Sequence, residues 1–222
     1  MKILKCERKG VICSELMKCR RPEVVEAAAE VIEGGGLLVY PTDTLYGLGA
    51  DALNPKAIGK VFEAKERPFS APVSVAVSDV DMMRQVANLS PWMERVVESL
   101  IPRPITFLLP KKKRVPATLT AGSDIIGVRI PNHMFALTAI ARTGPITTTS
   151  ANLHEGHVPR TARSAIRQLG DAVDLYVDCG RTAFGKASTV VDLSGNSPRK
   201  VAVSRKGASN RLELLRMIKN IK

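Results

Sequence analysis

The sequence predicts an α/β fold in which a twisted, mixed sheet is flanked by helices. Segments with apolar residues at helical spacing alternate with short apolar runs along most of the chain. The last three strand-like runs, at 173–177, 188–193 and 200–203, have little helix between them, which favours a sheet with both parallel and antiparallel pairs. The chain has 222 residues, 45% of them hydrophobic, and contains no repeat or linker. We therefore expect a single domain over 1–222.

The first half of the chain contains three helix signals and three strand signals. A helix is predicted at Pro22–Glu33, because its valines and alanines recur at helical spacing until three glycines end it. Asn54 and Ser90 each precede a proline, the pattern of an N-cap followed by proline at the first helical position. The helix after Asn54 should end near 65–68. The predicted strands are at 37–40, 73–77 and 105–109.

The second half continues the alternation. Strands are predicted at 125–130 and 146–149, with helices at 132–142 and 161–169. After the three closely spaced strands, a basic helix at about 208–220 closes the chain.

The excess positive charge lies at the two ends of the chain. The net charge of the protein is +12, of which residues 1–21 carry +5 and residues 199–222 carry +7, while 22–198 are balanced. Clustered basic charge attracts polyanions, so contact with nucleic acid competes with a role in solubility alone. Aromatic residues make up only 4% of the chain, which argues against base stacking as the main binding mode.

Several functional classes lack their signatures. The sequence contains no phosphate-binding P-loop, no dinucleotide fingerprint and no hydrolase nucleophile elbow. Its four cysteines form no Cys-x-x-Cys pair, so we expect free thiols and no zinc site. No apolar run is long enough to span a bilayer and the N-terminus lacks a signal sequence, so we expect a cytoplasmic protein with no membrane contact.

Three clusters of polar residues lie at strand ends or in a loop, where α/β sheets form ligand sites. The residues at 42–44 follow the strand at 37–40, and their hydroxyls suit either a small polar ligand or a turn cap. Lys65 and Arg67 suit a polyphosphate, although Glu66 between them also fits a solvated surface pair. The run at 147–152 suits either a phosphate or sugar pocket or a strand followed by a cap.

Six segments carry a resemblance to a known family: PTDTLYGLGADAL, FEAKERPFSAPVSVAV, IGVRIPNH, ITTTSANLHEG, ASTVVDLSG and VSRKG occur in this order. Together they resemble the YrdC-like threonylcarbamoyl-AMP synthases over roughly residues 22 to 207. The resemblance implies a mixed sheet with a concave, basic groove. It also implies a nucleotidyltransferase that makes threonylcarbamoyl-AMP and pyrophosphate from L-threonine, bicarbonate and ATP for tRNA modification.

The resemblance assigns site residues by position. The residues implied for ATP are Lys65, Arg67, Ser150, Asn152 and Arg205. Those implied for threonine are Thr42, Thr44, Arg129, Thr148 and Ser188. Lys65 and Arg67 are also the implied catalytic pair, which would stabilise the charge on departing pyrophosphate. Ala71 and Ala76 stand where relatives carry polar residues, and Arg103 stands where they carry glycine.

The expected cofactor is Mg²⁺ with ATP, and no zinc, flavin or nicotinamide is expected. A downstream threonylcarbamoyl transferase is the implied consumer of the product, and tRNA or double-stranded RNA is a further expected partner because of the basic ends. The alternative from another class is an RNA-binding protein that has this fold and no synthase activity.

Overall fold

A computed structural model describes residues 1–5 and 21–221 and confirms the mixed α/β class. The strands are β1 (Lys2–Lys5), β2 (Leu38–Pro41), β3 (Tyr46–Gly49), β4 (Val75–Ala76), β5 (Ile105–Pro110), β6 (Ile125–Arg129), β7 (Ile146–Thr147), β8 (Thr149–Ser150), β9 (Leu175–Asp178), β10 (Thr189–Asp192) and β11 (Ala202–Arg205). The helices are α1 (Pro22–Glu33), α2 (Pro55–Ala64), α3 (Val80–Val86), α4 (Pro91–Leu100), α5 (Met134–Thr143), α6 (Ala162–Leu169) and α7 (Arg211–Lys219).

The strands form two mixed sheets, where the sequence predicted one. The first sheet has the order β1-β9-β2-β3-β8, and the second has the order β11-β10-β5-β6-β4-β7. Both contain parallel and antiparallel pairs. The chain crosses from the second sheet to the first between β7 and β8, with only Thr148 between them. The single strand predicted at 146–149 is therefore two short strands, and the Thr148 amide donates to the carbonyl of Ser74 at 2.7 Å.

Strands β2 and β3 form an antiparallel hairpin. The sequence predicted β2 but placed β3 in a loop, because two of its four residues are glycine, which has low strand propensity. Both glycines lie against the ring of Tyr40. A Cβ on Gly49 would lie 3.0 Å from Tyr40 Cε1, so the buried tyrosine selects glycine here.

Helix starts follow the capping signals in the sequence. The Asn54 side chain accepts hydrogen bonds from two amides of α2, and Ser90 accepts one from the amide of Met93 in α4. Helix α3 was not predicted, because seven residues show too little periodicity. Its N-cap Asp79, which accepts from the amide of Met82, was the available signal. Strand β1 is fixed by its parallel pairing with the distant β9.

The C-terminal helix is part of the main core. Leu214 and Ile218 of α7 are buried in the same cluster as the residues of β5 and β6. Arg103, the unusual residue before β5, forms an ion pair with Glu213 of α7 at 2.9 Å. The basic helix predicted from the sequence is therefore packed against the body of the protein.

Two further expectations concern the cysteines and membrane contact. The prediction of free thiols is wrong for Cys179, which is disulfide-bonded. The other three cysteines and most of the basic N-terminal segment lie outside the described residues. Within residues 1–5 and 21–221, no helix has the length and apolar character needed to cross a bilayer.

Candidate functional site

A cavity of about 270 Å³ is lined by strands of both sheets and by the loops near the point where the chain crosses between them. The predicted site residues that line it are Thr42, Thr44, Arg67, Arg129, Thr148, Ser150, Ser188 and Arg205. Lys65 and Asn152 lie next to these residues and do not line the cavity. Among the described residues, the lining includes three arginines and no aspartate or glutamate. The structure thus gathers residues that are far apart in sequence into one cationic groove.

The β2–β3 hairpin positions the threonine pair. Its register pairs Pro41 with Tyr46 and leaves a four-residue turn at 42–45. The Thr42 hydroxyl donates to the carbonyl of Leu45 at 2.7 Å and accepts from the amides of Thr44 and Leu45. Thr42 therefore caps the turn as well as lining the cavity.

The hydrogen bonds of Thr42 leave the Thr44 hydroxyl free to contact a ligand. The Thr42 proton goes to the Leu45 carbonyl and both lone pairs of Thr42 Oγ1 accept from amides, so the 3.0 Å contact with the Thr44 hydroxyl uses neither the proton nor a lone pair of Thr44. Thr44 Oγ1 accepts from Arg129 Nη1 at 2.8 Å. Its remaining lone pair can accept a hydrogen bond from an ammonium, carbamate or hydroxyl group in the cavity.

Arg129 forms a buried ion pair. It ends β6, and its Nη2 lies 2.6 Å from Oδ1 of Asp43, with the side chains 7% and 1% exposed. The sequence offered Asp43 only as part of a polar turn, and the structure shows instead that it pairs with a cation 86 residues away. Arg129 Nε and Asp43 Oδ2 are both buried without a hydrogen-bond partner in the described part of the chain.

The segment 181–187 forms backbone hydrogen bonds with the 42–45 turn. The amides of Phe184 and Gly185 donate to the carbonyls of Asp43 and Thr44 at 3.1 and 3.0 Å. Gly185 has a φ of 61°, and a Cβ there would lie 2.2 Å from Arg160 Nε. The positive φ therefore favours glycine at the position whose amide reaches the turn.

Lys65 follows α2 and is 1% exposed. Its ammonium group donates to the carbonyl of Ser150 at 2.5 Å and to the carbonyl of Asn152. Burial, and then the nearby charge of Arg67, lower its pKa to about 7. Lys65 thus fixes the backbone of the 150–152 turn and holds a proton that is lost near neutral pH.

Arg67 lines the cavity with uncharged partners. Its guanidinium donates to the carbonyls of Ala71 and Pro72 at 3.0 Å and contacts Nδ1 of His154 at 3.3 Å. Because a guanidinium has no acceptor, Nδ1 of His154 must be the acceptor. Burial lowers the Arg67 pKa, and Arg67 stays charged at neutral pH.

The 150–152 turn lies beside Lys65 and Arg67, and we call these residues the Lys65–Arg67 end of the cavity. Ser150 lines the cavity, and Asn152 Nδ2 donates to the carbonyls of Leu153 and Gly156 at 2.7 and 3.0 Å. Thr147, which the sequence grouped with these residues, instead bonds to the backbone of Leu48 and Ala50. Its role is to join the two sheets.

Arg205 lies close to Arg129 and contacts Ser188, and we call these three residues with Thr44 the Arg129 end of the cavity. Arg205 Nη2 lies 3.1 Å from the carbonyl and 3.3 Å from the hydroxyl of Ser188. Burial and then Arg129 lower the pKa of Arg205, which places the two guanidinium groups close enough to repel each other. The Ser188 hydroxyl contacts that of Thr106 at 2.7 Å. Thr106 also lines the cavity, and its signal in the sequence was a lone hydroxyl in an apolar strand.

Two buried groups near the cavity, Tyr40 and His133, have pKa values far from 7. Burial raises the pKa of Tyr40 to about 12 and lowers that of His133 to about 4. Neither Ala71 nor Ala76, the residues that depart from the family pattern, lines the cavity. The arginines and hydroxyls that line the cavity are suited to binding and orienting anions.

The donor set does not form a site for a resident divalent cation. Within residues 1–5 and 21–221, no group of three or more His, Cys, Asp or Glu side chains could hold a metal ion. The cavity offers hydroxyls and cations, whereas Mg²⁺ is bound in proteins through carboxylates together with substrate phosphates.

The chain is similar in sequence and fold to known proteins of one family. The Sua5/YciO/YrdC family model, described as "Telomere recombination", matches residues 30–207. A threonylcarbamoyl-AMP synthase of Pyrococcus abyssi is 35% identical over 77% of this chain and 51% of its own length. One of Bos taurus is 31% identical over 84% of this chain and 69% of its own length.

The fold of P. abyssi Sua5, in a crystal structure complexed with L-threonine, is similar over the whole chain. The TM-score is 0.87 at 29% identity, and the match covers 62% of that chain. The chain spans about half the length of the P. abyssi synthase.

Proposed function

The chain belongs to the Sua5/YciO/YrdC family, and we propose that it is a threonylcarbamoyl-AMP synthase. Its reaction would join L-threonine, bicarbonate and ATP and release pyrophosphate. The observation that carries the proposal is that one cavity is lined by eight of the ten predicted site residues, three of them arginines.

The two ends suit different parts of the reactants. Arg67 and Ser150, with Lys65 behind them, form an end whose cations have only uncharged partners, which suits the phosphates of ATP. Arg129, Arg205 and the hydroxyls of Thr44 and Ser188 form the other end. A guanidinium and several hydroxyls suit the carboxylate and amine of an amino acid.

The chemistry needs positioning more than an attacking protein group. The threonine amine attacks bicarbonate carbon, and loss of water leaves a carbamate. A carbamate oxygen then attacks the α-phosphorus of ATP, and the bond to the bridging oxygen breaks to release pyrophosphate. Arg67 and Lys65 would stabilise the negative charge on the leaving group. The free lone pair of Thr44 would accept the N–H of the amine or carbamate.

Magnesium enters this proposal with the nucleotide. Because the cavity lining has no carboxylate among the described residues, we propose that Mg²⁺ arrives bound to the phosphates of ATP as part of the substrate.

The test is pyrophosphate release by the purified protein with Mg-ATP, adding threonine and bicarbonate singly and together. Release should require both. Arg163→Ala is a matched control for variants of the cavity arginines, because Arg163 is an exposed residue of α6 that does not line the cavity. Absence of release from folded wild-type protein under every combination would contradict the proposal.

Contact with tRNA or double-stranded RNA stays a prediction based on the basic ends. Deletion of 208–222 would be a poor test, because α7 buries Leu214 and Ile218 in the core. Substituting the basic residues Arg211, Arg216 and Lys219 of α7 with glutamine keeps that packing. RNA affinity should then fall and depend less steeply on salt, with synthase activity unchanged. Equal RNA affinity at fixed salt would exclude α7 as the contact.

A further inference from the structure

Asp43 is a buried carboxylate with no part in the reaction proposed above. Its Oδ1 lies 2.6 Å from Arg129 Nη2, and its Oδ2 has no hydrogen-bond partner among the described residues. A buried ion pair with an unfilled acceptor stabilises a protein poorly compared with apolar residues of similar size. Stability alone is therefore a weak explanation for Asp43.

The charge at this end of the cavity points to that use. Arg129 and Arg205 are near each other, and the partner of Arg205 among the described residues is the uncharged Ser188. Two guanidinium groups alone would favour a doubly charged anion. The Asp43 carboxylate cancels one of these charges and leaves a net charge that matches a single carboxylate.

The backbone keeps Asp43 in this place. Its carbonyl accepts from the Phe184 amide, and the next residue, Thr44, contributes the second contact to Arg129. The guanidinium is therefore held between the Asp43 carboxylate and the Thr44 hydroxyl, and its orientation is fixed before a ligand binds.

We propose that Asp43 is a positioning residue that orients Arg129 and sets the charge of this end, so that it selects a singly charged carboxylate over a dianion. This inference rests on the proposed function, in which that carboxylate belongs to threonine. It adds a specificity determinant to the residues that contact the reactants.

The first measurement compares three ligands on the wild-type protein by calorimetry at one pH. They are L-threonine, its aminophosphonate analogue at a pH where the phosphonate is doubly ionised, and the monomethyl ester of that phosphonate, which has one negative charge. The ester separates charge from tetrahedral shape. Threonine and the ester should bind, and the dianion should bind at least about tenfold more weakly than either.

The second measurement repeats the series with Asp43→Asn, which keeps the Oδ1 acceptor and the shape and removes the charge. The dianion should gain about tenfold relative to threonine, while the ester keeps its rank. Asp192→Asn is the matched control, because this half-buried carboxylate at the end of β10 bonds to Ser194 and does not line the cavity. Its ranking should equal that of the wild type.

Three results would overturn the inference. They are a dianion that binds the wild type as tightly as threonine, two phosphonates that are equally weak, and one ranking shared by the wild type and Asp43→Asn. The wild-type ranking decides alone if the variant does not fold. Wild-type protein that neither binds threonine nor uses it to release pyrophosphate overturns the proposed function as well. Threonine-dependent release with the wrong ranking overturns only the role of Asp43.

Discussion

The two ends of the cavity hold their cations with different partners. At one end, Lys65 and Arg67 donate to backbone carbonyls and to a histidine nitrogen, all uncharged. At the other end, Arg129 donates to the carboxylate of Asp43. Uncharged acceptors orient a cation and leave its charge available to a ligand, whereas a carboxylate orients the cation and cancels part of that charge.

The number of arginines in a binding groove therefore does not give its charge. The Lys65–Arg67 end retains cations without a counter-charge among the described residues, which suits a polyphosphate. The Arg129 end has two arginines and one carboxylate, which suits one ligand carboxylate. Removing Arg129 should therefore lower the stability of the protein, whereas removing Arg67 should mainly lower its activity.

The largest effect is expected for Arg129→Ala, which leaves Asp43 charged, buried and unpaired. The variant should lose about 3–5 kcal/mol of unfolding free energy, together with threonine affinity. Denaturant titration measures the first quantity and calorimetry the second. Adding Asp43→Asn removes the unpaired charge and should recover much of the stability without restoring threonine binding. Wild-type stability of the single variant would contradict the contrast between the two ends.

Arg67→Ala should reduce turnover by on the order of 100-fold or more, about 2.7 kcal/mol of transition-state free energy, because it removes a cation from the leaving group. The cost in stability should be only about 1 kcal/mol, since half-exposed Arg67 bonds to carbonyls that water can reach. Pyrophosphate release and thermal unfolding measure the two effects. Arg163→Ala serves as control, and wild-type turnover of Arg67→Ala would refute the assignment.

The smallest effect is a pH dependence of nucleotide affinity that originates at Lys65. In the free protein the Lys65 pKa is about 7, and a bound polyphosphate raises it because the anion favours the ammonium form. Binding above pH 7 therefore takes up a proton, and affinity should fall as pH rises, by up to about tenfold per pH unit. Below pH 7 the group is already protonated and contributes little slope.

The measurement is the dissociation constant of ATP over a pH series above the last ionisation of its phosphates. Lys65→Met should abolish the slope, since it keeps an unbranched side chain of similar length without an ionisable group. Threonine affinity at the other end should show no such slope. Equal slopes in the wild type and Lys65→Met would show that another group is responsible.

Much of the fold was predictable because its signals are local. The caps at Asn54 and Ser90 mark the starts of α2 and α4, and the apolar runs of β5 and β6 mark strands. The elements that were missed have weak local signals. The glycines of β3 make sense only beside the ring of Tyr40, and β1 only beside β9.

The sequence by itself determined most of the element types, the excess of basic charge and the residue types that the cavity would need. Only the tertiary structure decided which partner each cation received. Asp43, in the β2–β3 turn of the first sheet, meets Arg129 of β6 in the second sheet, and Lys65 after α2 meets the carbonyl of Ser150 in β8. These contacts join residues more than 80 positions apart, so they depend on how the two sheets meet and have no signature in any local segment.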